Sequence, residues 1–239
     1  DEHPEDKLAI EHFTINTCYG QCIDRGSKIT IYTPSNIVDP IMGWWGYYLA
    51  KIGGFNYIGR ELGETRPYGS FYIYDKSKNI EGGEECLADI NRLANSDDHW
   101  VISVLAASGA NEPTFPTQFH FTYGAKKGDE TYDDPNITLN DIATFEQIYQ
   151  AFNSLLSEKY QFSADKQRYH TNASKLFFAR QLEHKLNAIS LRVAWSVTCW
   201  DMRAIQIAQD LAQIINQQIN QCDNPIVPEL KKKGIGYNA

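Results

Sequence analysis

The sequence predicts an α+β fold, with an N-terminal, mostly antiparallel β half packed against a C-terminal helical half. Two changes in pattern and one absence lead to this. Over residues 8–125 short runs rich in β-branched and aromatic residues alternate apolar and polar positions. Over residues 139–221 the apolar spacing becomes helical. No Gly/Ser/Pro-rich linker separates the halves, so all 239 residues read as a single domain, 1–239, with a loose basic tail over 223–239. A chain of this length buries a substantial core, and 42% hydrophobic with 13% aromatic residues is the composition of a folded protein.

The elements follow in order. "IEHFTIN" and "SKITIYT" are alternating strands. "GGFNYIG" and "GSFYIYD" are two more, joined by "RELGETRPYG", where Gly63, Pro67 and Gly69 supply turn chemistry. "ECLADINRLAN" has helical spacing, "HWVISVLAA" reads as a buried strand, "TQFHFTYG" alternates, and "KKGDETYDDPN" is a polar loop. Beyond it, Ile142, Phe145, Ile148, Phe152 and Leu155 share one helical face, with Asn140 or Asp141 placed to cap it. Leu176, Ala179, Leu182, Leu186 and Ile189 form a second stripe, and Ile207, Leu211, Ile214 and Ile219 a third.

A net charge of −8 and a pI near 5.2 exclude broad electrostatic adhesion to nucleic acid but leave room for a pocket that takes one nucleotide. No apolar run approaches the roughly 18 residues that span a bilayer. The acidic start "DEHPEDK", five cysteines and the sequons at Asn136 and Asn172 lead to the expectation of a secreted protein with disulfide bonds. Cys222, in a polar segment after the third helical stripe, is placed to link to a partner chain or to Cys199.

"YGQC" at 19–22 resembles the nucleophile motif of animal-type transglutaminases, with His99 as the available histidine. Ile23, however, stands where that family has tryptophan. Gly26 and a β-branched run follow, where a helix N-terminus would be needed to lower the thiol pKa. A loop disulfide is therefore the expectation for Cys22. HExxH, paired CxxC and GxSxG motifs are absent from the sequence, and neither metal nor cofactor is expected. His120 in "FHFTYG" reads as a strand histidine. Arg180 and Glu183 lie three apart on one helical face, which suits an ion pair or the joint presentation of a guanidinium and a carboxylate. Tyr72 alternates with apolar neighbours on a strand, and Trp44-Trp45-Gly46-Tyr47-Tyr48 places aromatics outside any single core face.

Three segments, "FNYIGRELGETRPYGSFYIYD", "ITLNDIATFEQIYQAF" and "AISLRVAWSVTCWDMRAIQIAQ", together resemble the ribosome-inactivating proteins, the ricin and Shiga A-chain type of rRNA N-glycosidase. The resemblance implies a secreted toxin subunit that removes a base from ribosomal RNA. Tyr72 would then stack the base, with Tyr123 or Tyr132 as the second tyrosine, Arg180 would protonate the leaving base, and Trp195 would support the site. The family's glutamate position is Phe177 here, so Glu183, on the same helical face but in reverse order, would have to supply the carboxylate. Two alternatives stand beside this. One is an RNA-cleaving toxin using histidine, glutamate and arginine as acid-base groups. The other is a non-enzymatic secreted recognition protein that binds through its aromatic surface.

Overall fold

The computed structural model describes residues 14–16, 19–34, 36, 40–60, 83–107, 117–123, 139–167, 186–194, 197 and 203–221. Eight strands form one mixed sheet: β1 (Thr14–Asn16), β2 (Gly20–Ile23), β3 (Ile29–Thr33), β4 (Asn56–Arg60), β5 (Trp100–Ala107), β6 (Phe119–Thr122), β7 (Ala164–Gln167) and β8 (Asn187–Ala194). Four α-helices among the described residues accompany them: α1 (Pro40–Gly53), α2 (Gly83–Leu93), α3 (Ile142–Leu155) and α4 (Arg203–Ile215). The last two each end in a wider turn, Leu156–Tyr160 and Asn216–Asn220, closed by Gln161 and Gln221 in the left-handed region.

The α+β class holds, while the arrangement inside it is more interleaved than the sequence suggests. Strand order is β1-β2-β4-β3-β5-β8-β6-β7, and the four central strands β4, β3, β5 and β8 run parallel. Among the described residues, antiparallel pairing is confined to β1–β2, β2–β4 and β6–β8. The physical reason is that parallel neighbours need a crossover long enough to return the chain, and α1 is that crossover between β3 and β4. Ile189, expected on a helical stripe, lies in β8, with buried Leu186 just before it. Leu186 and Ile189 continue the three-residue spacing of the stripe, and over so short a stretch that spacing outweighed the alternation of Ile189, Leu191 and Val193 with Ser190 and Arg192. The rest of that stripe, residues 176–182, and the expected strand "GSFYIYD" lie outside the described residues.

One face of the sheet carries the larger core. Ile29, Ile31, Trp100, Ile102, Val104, Ile189, Leu191, Phe119 and Phe121 meet α1, α3 and α4 there. Phe152 of α3 packs edge-on against Phe119 and Phe121, at 5.1 and 6.0 Å between ring centroids. Burial of each such ring stabilises the fold by about 1.5–3 kcal/mol. Asp141 caps α3 by accepting from Thr144 N at 2.9 Å, and buried Asn187 ties β8 to that cap by accepting from the Asn140 and Asp141 amides.

Helix α1 contains the aromatic run expected at the surface. Helical spacing splits it: Trp45 and Leu49 are buried, and Trp45 Nε1 donates to Ala204 O on α4 at 2.9 Å. Trp44 is 47% exposed and stacks on Tyr48 one turn on, 5.6 Å between centroids. Gly46 lets the helix lie close on β3, since a Cβ there would overlap the Thr33 methyl.

The opposite face is covered in part by α2. Cys86, Ile90, Leu93 and Ala94 pack there on Tyr19, Cys22, Tyr32, Ile58, Val101 and Ala188. Beyond the reach of that cluster the face turns polar, and there the candidate site begins.

Candidate active site

The register of the sheet lines up two polar rows on this face. The first runs from Ser103 (β5) to Ser190 (β8) to Thr122 (β6). The second, one step nearer the carboxyl ends of the parallel strands, runs from Arg192 (β8) to His120 (β6) to Asp165 (β7). The strands build these rows by simple alternation. Phe119 and Phe121 face the apolar core, which sends His120 and Thr122 to the other side. Carboxyl ends of parallel strands are where open sheets place ligands.

Three of these positions, Ser190, Thr122 and His120, are buried, which makes their polarity informative. Ser190 and Thr122 are fully buried and His120 is 1% exposed, whereas Asp165 reaches solvent. His120 Nδ1 contacts Asp165 Oδ1 across the β6–β7 pair. A carboxylate on one ring nitrogen fixes that nitrogen as the protonated one, leaving Nε2 with the basic lone pair. Arg192 lies directly across β6–β8 from His120, so a guanidinium, an imidazole and a carboxylate follow one another over three adjacent strands.

Tyr123 of the expected site sits at the end of β6 on the other face, its ring 4.8 Å from that of Phe145, centroid to centroid. It supports α3 and does not join the polar rows. Arg180, Glu183, Tyr72 and Trp195 lie outside the described residues, as do Tyr132 and Cys222.

Cys22 departs from expectation. It sits in β2 opposite Ile58, buried, with its thiol free, and Cys86 is likewise a free buried thiol. A strand position sealed under α2 has no loop freedom to seek a disulfide partner. Burial raises the Cys22 thiol pKa, with Asp89 adding to the rise and Arg92 Nη2, 3.3 Å away, opposing it. Burial also pushes Cys86 far above the usual thiol range. A nucleophilic cysteine needs the reverse. Nor does His99 serve Cys22: its Nε2 lies 2.8 Å from Thr30 Oγ1 on β3, and β4 separates β3 from β2.

A concavity of about 340 Å³ opens at the other end of the sheet, lined by Lys28, Asp98, Trp100, Asn140, Thr144 and Gln218 among others. Its buried amide, Asn187, is already engaged by the α3 cap. Among the described residues no group of three or more histidine, cysteine, aspartate or glutamate side chains is placed to hold a metal. No described helix is long and apolar enough to cross a membrane.

The sequence matches no protein family's profile and no curated protein. Among solved structures, the fold is similar to the CwlD amidase from Clostridioides difficile in complex with the GerS lipoprotein. That match has 10% identity and a TM-score of 0.48, covering 82% of this chain and all of that one. A bacteriophage poly-gamma-glutamate hydrolase gives 10% identity and 0.48, covering 97% of each chain. Isoform 2 of uridine phosphorylase from Schistosoma mansoni gives 10% and 0.39, covering 87% of each. Likenesses with TM-scores below 0.5 identify neither a family nor an activity.

Proposed function

We propose that the chain is a hydrolase working by general acid–base catalysis on RNA, within a secreted toxin. His120 transfers the proton, Asp165 orients the imidazole, and Arg192 offsets charge that develops on the substrate. The observation that carries this reading is the contact of buried His120 with Asp165, on a polar row that lies toward the carboxyl ends of the central parallel strands. RNA as substrate comes from the sequence resemblance. Histidine and arginine together suit the phosphodiester bond: the imidazole takes the proton of the attacking hydroxyl and returns it to the oxygen that departs as the P–O bond breaks, and the guanidinium offsets charge at the phosphorus centre. Base removal, the other RNA reaction, would draw on Tyr72, Arg180, Glu183 and Trp195.

A second reading, a non-enzymatic recognition protein, is favoured by one feature, the exposed Trp44 stacked on Tyr48.

The test is incubation of the purified chain with ribosomes and with naked RNA, following strand cleavage on gels and free adenine by chromatography. His120→Gln and Asp165→Asn run alongside, each with a thermal melt. We expect strand cleavage by the parent chain and a loss of about 10²–10⁴-fold in His120→Gln, the range for removing an acid–base group. Free adenine with uncut strands would move the reaction to base removal. If cleavage falls only in proportion to folded protein, the His120–Asp165 pair is a clamp between β6 and β7 and not a catalytic group. Intact RNA at micromolar folded protein would sink the hydrolase reading and bring the Trp44 surface forward.

A further inference from the structure

Two hydroxyl groups on the inner polar row are unaccounted for by the chemistry above. Thr122 Oγ1 and Ser190 Oγ face each other across the β6–β8 pair, both residues are fully buried, and neither hydroxyl has a hydrogen-bond partner. Hydroxyls in this relation commonly bond to one another, and these do not. Leaving two donors dry is costly, and a protein keeps such groups chiefly where something else engages them.

We propose that Thr122 and Ser190 form an oxyanion seat that takes a phosphate group, with Arg192 closing it. Directly opposed residues of an antiparallel pair have Cβ atoms about 5 Å apart, so both hydroxyls can donate to a single oxygen between them. Arg192 follows Ser190 by two residues on the same face, about 7 Å along the strand, within reach of a second oxygen of the same group. The nearest acid on these rows, Asp165, lies one row on and is engaged by His120. The seat belongs to the site proposed above and rests on that reading for its substrate, a phosphodiester whose non-bridging oxygens the two hydroxyls would hold while His120 works one row away.

The experiment is calorimetric titration of the full chain with inorganic phosphate at neutral pH. The variants are Thr122→Val, Ser190→Ala, the double variant, Thr122→Ser and His120→Gln, each with a melting curve. We expect each hydroxyl removal to weaken phosphate binding by about tenfold, and the pair by about a hundredfold. Thr122→Ser, which keeps the hydroxyl, should bind within a few-fold of the parent chain. The double variant should melt no lower than the parent, because it replaces unsatisfied donors with apolar groups. Phosphate binding that the double variant retains, or that Thr122→Ser loses as fully as Thr122→Val, would overturn the seat. So would the absence of phosphate binding to the parent chain at about 10 mM. His120→Gln separates the two proposals: phosphate binding kept while RNA cleavage is lost supports both. If the parent chain cleaves no RNA yet binds phosphate through the two hydroxyls, the seat stands and the hydrolase reading falls.

Discussion

Lowering the pH from 7 towards 4 should destabilise this protein through His99, starting above the range in which most carboxylates titrate. Burial lowers the His99 pKa from 6.5 to about 4, with Asp98 pulling weakly the other way, and Nε2 sits 2.8 Å from Thr30 Oγ1. The sign follows from which state binds the proton first. Below pH 6.5 the unfolded chain is protonated at this residue while the folded chain resists until about 4, so the unfolded state binds more protons in that window. Stability is therefore undiminished above 6.5 and falls steadily as pH drops towards 4. Each pH unit of separation is worth about 1.4 kcal/mol, so the full effect is about 3 kcal/mol, a sizeable part of a typical domain's stability. Urea unfolding of the parent chain and of His99→Gln at pH 7.5, 6.5, 5.5 and 4.5 measures it, since glutamine keeps a polar contact for Thr30 without titrating. The parent chain should lose stability faster than the variant between the first and last points. Parallel curves would mean that His99 titrates normally and that its burial does not hold it neutral.

Further expectations rest on packing and exposure. Gly46→Ala should cost about 1–3 kcal/mol in urea unfolding, because the new methyl meets Thr33 across the α1–β3 contact; an unchanged midpoint would show that the helix can shift without penalty. Alkylation of the native chain followed by peptide mass mapping should leave Cys22 and Cys86 unlabelled until urea is added, and rapid labelling of Cys22 would contradict its sealed position. Lys28→Ala removes an ion pair with Asp98 that is well exposed at both ends, so stability should change by no more than about 0.5 kcal/mol despite the 2.5 Å contact. A larger loss would mean that the pair holds the turn before β5.

Much of the framework was legible because burial leaves a period in the sequence. The runs that became β3, β4, β5 and β6 show it, as do the stripes of α3 and α4. Asp141 was also a readable cap, and it does accept from Thr144 N. Helix α1 was hidden because Gly43, Gly46 and a block of aromatics have poor helix propensity, and contacts with Asn36, Thr33 and α4 override that preference. Strand β8 was hidden because Leu186 and Ile189 continue the three-residue spacing of the stripe before them, which masked the alternation of Ile189, Leu191 and Val193 with Ser190 and Arg192. The site was harder still. His120 was visible as an alternating strand residue, but its partner Asp165 comes from β7, a four-residue strand with no apolar pattern of its own, 45 positions further on. Register placed Ser190 against Thr122 and Arg192 against His120, and register is a property of pairing that no local window contains.

Strand β7 has one more consequence. Among the described residues it closes one side of the sheet, the position from which a stray chain most readily extends a sheet and starts an aggregate. Its sequence, Ala-Asp-Lys-Gln, is short and puts a negative charge towards one face, at Asp165, and a positive charge towards the other, at Lys166, which pairs with Glu146. An incoming apolar strand would have to seat its side chains beside both. The residue proposed to orient the imidazole is thus also a guard on the sheet's border. Neutralising Asp165 to probe catalysis will at the same time make concentrated solutions of the protein more prone to self-association.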